Sequence, residues 1–138
     1  MSSSRFSGRS LFPGAAEGPL LKLSAPLSFW GGVDPMTGRI ILGHHPERGR
    51  SIAGTVLSLA EPIGSSSSSS VLLELIHKGT APAAILLGEL DAILIVGCLV
   101  AQEMGLQAPP VVLVDKPILA GLAGTRVAVE DGNIRTVG

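Results

Sequence analysis

The stretch Glu61-Pro62-Ile63-Gly64, six serines from Ser65 to Ser70, and Val71-Leu72-Leu73-Glu74-Leu75-Ile76-His77-Lys78-Gly79 decides how this chain folds. A serine run ordinarily reads as a solvated linker, because such tracts are flexible and bury nothing. This one separates no domains. A strand of small and branched residues, Ala53 to Leu59, precedes it, and an amphipathic helix follows without a spacer. Leu72, Leu75 and Ile76 fall on one helical face, Lys78 sits in the last turn where a cation suits the helix dipole, and Gly79 supplies the stop. The serines therefore cap a helix. Strand, glycine, hydroxyl cluster and helix start together aim unpaired N–H groups at one point, which is a physical recipe for holding an anion.

Working outward, the alternation of strands and helices predicts an α/β domain. Before the serine run, residues 1–19 are rich in Ser, Gly and Pro without a period and read as a flexible N-terminal arm, so the folded domain is expected over 20–138. Leu27 to Trp30 reads as a short strand entering the tight loop Gly31-Gly32-Val33-Asp34-Pro35. Arg39 to Leu42 reads as another strand, followed by a polar loop carrying His44 and His45. Beyond the serine helix, Ala83 to Leu87 reads as a buried strand and Asp91 to Met104 as a buried helix, with Asp91 as N-cap and Gly105 as stop. Val111 to Val114 and Arg126 to Glu130 complete the sheet, and Asp131-Gly132 marks a turn.

Composition narrows the function. With 138 residues the chain suits one core, yet 46% apolar against 15% charged residues is a hydrophobic surplus that points to a covered partner surface. Three Phe, one Trp, no Tyr and a net charge of −1 leave neither stacking platforms nor a basic stripe, so no nucleic acid and no membrane surface is expected as partner. The apolar run Ala92 to Ala101 falls short of the roughly 20 residues that span a bilayer. Cys98, the single cysteine, can form no internal disulfide and suits a reducing, cytoplasmic setting; mid-helix among Ile95, Val96, Leu99 and Val100, it reads as core packing. Two adjacent histidines without further ligands make no metal site, so no metal ligand is assigned. Asp34 is either a substrate-orienting carboxylate or a turn-former, and His45 either a hydrogen-bond donor at a subunit boundary or a solvated loop residue.

Four motifs recur in a family's order: Phe29-Trp30-Gly31-Gly32-Val33-Asp34-Pro35-Met36-Thr37-Gly38, the pair His45-Pro46, Ser51-Ile52-Ala53-Gly54, and Gly64-Ser65 with its following serines. Together they resemble the small subunit of aconitase-X-type dehydratases. The resemblance implies a swivelling β/β/α domain, similar to the mobile fourth domain of aconitase, that closes over a large partner subunit holding iron or an iron–sulfur cluster. It also implies that Ser65 is the catalytic base, with Ser66, Ser67 and Ser69 as supporting donors toward substrate and Asp34 and His45 as second-tier substrate-binding residues. The chain alone is then an incomplete enzyme, because the electrophile for the departing hydroxyl lies in the partner.

Among the family's reactions, the likeness of Val71 to Ile76 to bacterial members favours dehydration of cis-3-hydroxy-L-proline to Δ1-pyrroline-2-carboxylate. The alternative is the small subunit of mevalonate 5-phosphate dehydratase. Thr55 stands where many relatives carry a lysine, which disfavours a phosphorylated substrate, and Ile63 stands where a polar or basic residue is common. A different class, a non-catalytic phosphohistidine-type swivel carrier, would use His44 or His45.

Overall fold

The computed structural model describes residues 3–137. In chain order the elements are β1 (Ser3–Ser7), β2 (Arg9–Phe12), β3 (Ala15–Lys22), α1 (Phe29–Gly32), β4 (Val56–Leu59), α2 (Ser68–Lys78), β5 (Ala84–Leu87), α3 (Ala92–Glu103), β6 (Val111–Leu113), α4 (Lys116–Gly121), β7 (Arg126–Glu130) and β8 (Asn133–Val137). The strand order is β1-β8-β7-β3-β4-β5-β6-β2. β3, β4, β5 and β6 run parallel, while β1, β8, β7 and β3 pair antiparallel.

The unbroken apolar runs of β4 and β5 follow from burial on both faces. One set of their side chains, Leu57, Leu59, Ile85 and Leu87, packs with Leu72 and Leu75 of α2 and Leu94 and Cys98 of α3. The alternate set, Val56, Ala84 and Leu86, packs with Val127, Val129 and Ile134 from the antiparallel half. Two sheet layers and a helix layer result, the β/β/α architecture that the resemblance implied.

Residues 3–19 are not a flexible arm; residues 1 and 2 lie outside the described part. β1 pairs with β8 and β2 with β6, and these partners stand at opposite ends of the strand order. Ser3–Phe12 therefore covers the edges of both β8 and β6, which would otherwise be left unpaired and invite aggregation. Gly8 is the crossing point. Its N–H donates to Gly132 O at 2.8 Å, and a Cβ there would lie 2.6 Å from Leu113 O. The segment looked unstructured because its inward residues, Phe6 and Phe12, are too sparse to make a pattern.

Two other expected strands are corrected. Leu27 to Trp30 and Arg39 to Leu42 supply only isolated bridges, Leu27 to Pro62, Val33 to Ile40 and Arg39 to Ser51. Closely spaced glycines and turns leave no length for a ladder, and Phe29–Gly32 is instead a helical turn broken by Gly31 at φ 76°. α4, with proline in its first turn, and β8, beyond a turn with Asp131 at φ 52°, add to the expected set. No helix among the described residues is long and apolar enough to cross a membrane.

Candidate functional site

The serine turn lies beyond the carboxyl end of β4, where the chain leaves the sheet and starts α2. Ligands of open α/β sheets bind outside such strand ends. Ser67 is the N-cap residue, although its side chain makes no capping bond. Ser65 organises the turn: its carbonyl accepts from Ser68 N–H at 3.0 Å and its Oγ accepts from Ser67 N–H at 3.4 Å. Ser69 Oγ donates to Ser66 O at 3.4 Å. The amides of Ser69 and Ser70, in the first helical turn, find no acceptor among the described residues, and they point the positive end of the helix dipole outward. Ser66 and Ser70 are exposed, whereas Ser65, Ser67 and Ser69 are half-buried.

A second loop, following β3, packs beside this turn. Ile63 N–H donates to Leu27 O at 3.0 Å, and Trp30 N–H donates to Ser68 Oγ at 3.4 Å. The glycine motif of the α1 turn and the serine motif are thus brought together, with the left-handed Gly31 reversing the chain directly after Trp30. Trp30 is 60% exposed and Ile63 48%, so large apolar side chains flank the serines on the solvent side. Ser68, 1% exposed, is the residue that sequence reasoning passed over. Helical phase was the available signal, since positions 68, 72 and 75 share the inward face.

Asp34 and His45 are engaged in their own loops. Asp34 Oδ1 accepts from Met36 N–H at 3.0 Å and Oδ2 from Thr37 Oγ1 at 3.2 Å, the bonding of a turn-former. His45 is buried, not a solvated loop residue: its Nε2 donates to Ala25 O at 3.2 Å and its Nδ1 accepts from Glu47 N–H at 3.1 Å. His44 is exposed. Thr55 is buried and its hydroxyl donates to Ile52 O at 2.8 Å.

Burial pushes the Cys98 thiol up to about 12, so it is a packing residue and not a thiolate ligand. Among the described residues, no group of three or more His, Cys, Asp and Glu side chains is placed to hold a metal ion. At the neighbouring strand ends Lys116 pairs with Glu89, and that hydrogen bond raises the Lys116 pKa.

Two sizeable concavities lie elsewhere. A groove of about 570 Å³ is bordered by Pro13, Ala81, Pro82, Leu106 and Pro110, and one of about 810 Å³ lies over β1, β8, β7 and β3. Neither contains a serine of the turn. The serine turn is open to solvent at Ser66 and Ser70.

Residues 5–137 match the aconitase X swivel domain family. Over 96 residues, 70% of this chain, it is 52% identical to a cis-3-hydroxy-L-proline dehydratase of Pseudomonas aeruginosa, of which the match covers 17%. Over 97 residues, also 70% of this chain, it is 42% identical to a phosphomevalonate dehydratase small subunit of Thermococcus onnurineus, 75% of which is covered. The crystal structure of Thermococcus kodakaraensis aconitase X in its holo-form superposes with a TM-score of 0.86 at 31% identity, covering 98% of this chain and 99% of that one. The chain spans only 23% and 17% of the length of the hydroxyproline dehydratases that it matches.

Proposed function

Because this chain belongs to the aconitase X swivel domain family, we propose that it is the small subunit, or the equivalent domain, of a dehydratase that removes water from cis-3-hydroxy-L-proline, with Ser65 as the base. The observation that carries the reading is the serine turn itself: Ser65 stands one residue after Gly64, at the open start of α2 and beside the Trp30-Gly31 turn.

Elimination of water requires a base for a carbon-bound proton and an electrophile for the departing hydroxyl. A serine hydroxyl is a poor base unless its alkoxide is stabilised. The Ser67 N–H on Ser65 Oγ and the positive end of the α2 dipole supply that stabilisation, which strengthens once water is excluded. Ser66, Ser67 and Ser69 surround this point as donors toward the substrate carboxylate. Asp34 and His45, already engaged within their loops, hold the neighbouring backbone and are second-tier contacts toward substrate.

The iron or iron–sulfur centre of the whole enzyme does not fit this chain, whose one cysteine is a buried thiol. We assign the centre, and the electrophile, to a large subunit or module, and place the assembly in the cytoplasm. The hydroxyproline substrate is favoured by 52% against 42% identity over nearly equal lengths. Mevalonate 5-phosphate is the second reading, because the relatives of comparable size are small subunits of phosphomevalonate dehydratase.

The test is Ser65→Ala in the assembled enzyme, assayed on both substrates. If Ser65 is the base, kcat falls by about 10²- to 10⁴-fold while assembly persists, and Ser70→Ala costs far less. Near-normal turnover of the Ser65 variant would remove it from the role of base.

A further inference from the structure

α2 and α3 lie side by side on the same sheet face, yet their outer surfaces differ in kind. α2 turns Ser70, His77 and Lys78 to solvent, with Glu74 half-buried and 3.9 Å from Lys78, the ordinary dress of a solvated helix. α3 buries Leu94, Gly97, Cys98 and Ala101 and then presents a second apolar face outward. Val96 is 46% exposed, Leu99 49%, Val100 41% and the adjoining Met104 59%. From Leu90, itself 61% exposed, to Met104 the only charged side chains are Asp91, consumed as N-cap, and Glu103 at the far end. Isolated exposed apolar residues need no explanation, whereas an apolar helix face of this continuity marks an interaction surface.

We propose that the outer face of α3 is the permanent docking surface for the large catalytic module, separate from the serine turn that the same module completes. This rests on the functional reading above. Three observations favour that occupant. In the hydroxyproline dehydratases this segment is 23% and 17% of a single chain, so about four-fifths of such a chain has to be accommodated beside it. α2 and α3 also begin at the same end of the sheet, the end carrying Ser65, so one large body covers both the stripe and the flanking Trp30, Ile63 and Leu90. Finally, area disfavours a second copy. A twelve-residue helix face, about 18 Å long, buries on the order of a few hundred Å² per copy, short of the roughly 600–1,000 Å² per partner of stable interfaces.

The experiment co-expresses the full chain with the large module of the same organism, recognised by its similarity to the part of the Pseudomonas aeruginosa relative outside the match. Val96→Lys with Leu99→Glu should weaken the complex at least tenfold, while Glu74→Lys on α2 leaves it intact. Circular dichroism of the free double variant should match the parent, because both side chains already face solvent. Unchanged affinity of the double variant would overturn the proposal. So would a parent chain that dimerises alone and becomes monomeric on substitution, which would identify a second copy as the occupant. Loss of the functional reading is a separate result: an α3-dependent complex that dehydrates neither substrate leaves the docking face standing and removes the assigned reaction.

Discussion

The backbone N–H of Trp30 donates to the Ser68 hydroxyl at 3.4 Å, and Ser68 is the one serine of the run that is fully buried. Six chemically identical residues are thus divided by their place at the start of α2: one points inward and anchors the neighbouring loop, and the others are half-buried or exposed.

Ser68→Ala removes that anchor and leaves Trp30 N–H without an acceptor. We expect a stability loss of about 1 kcal/mol in chemical denaturation and a drop in turnover well below that of Ser65→Ala. A Ser68 variant as impaired as the Ser65 variant, with unchanged stability, would show that the roles have been assigned to the wrong serine.

Deleting residues 1–12 should abolish cooperative folding. Without β1 and β2, the edges of β8 and β6 are left open, and inward-facing Phe6 and Phe12 are lost from the two cores. Thermal melts and size exclusion would report a broadened transition and aggregation; an unchanged melt would return the segment to the status of a dispensable arm.

Glu47 should make the His45 loop acid-sensitive. Partial burial raises its pKa, but bonds from Ser24 N–H at 2.7 Å and Ser24 Oγ at 2.8 Å, with His45 and Arg50 nearby, outweigh that and hold the carboxyl below its usual value of 4.5. A carboxylate depressed in the folded state contributes stability above the unfolded pKa and loses it as pH falls through the folded one. Glu47→Gln should therefore be less stable than the parent at pH 7, with the gap closing under acid. A gap independent of pH would rule out the charged bond as its source.

Cys98 should be silent to alkylation. With the thiol pushed up to about 12, only about 10⁻⁴ of it is thiolate at pH 8, and only the thiolate attacks. Iodoacetamide should label the denatured chain completely and the folded chain negligibly over the same time. Rapid labelling of the folded chain would mean that α3 opens or packs differently.

The helices α2 and α3 and the strands β4, β5 and β6 were legible in the chain because their signals are local: helical spacing of Leu72 and Leu75, continuous apolar runs, and Asp91, whose Oδ1 accepts from Ile93 and Leu94 N–H as a cap should. The serine turn was legible for the same reason, being one uninterrupted stretch between a strand and a helix. Only the tertiary structure decided the rest. β1 becomes a strand by pairing with β8, with Ser4 N–H donating to Thr136 Oγ1 across 132 positions, and no local pattern announces an edge that exists only once the sheet is built. Likewise, residue type alone leaves open which local partners Asp34 and His45 engage, because those partners are set by how the loops fold. Here those partners are Met36, Thr37, Ala25 and Glu47, brought within hydrogen-bond distance by the folding of the loops themselves.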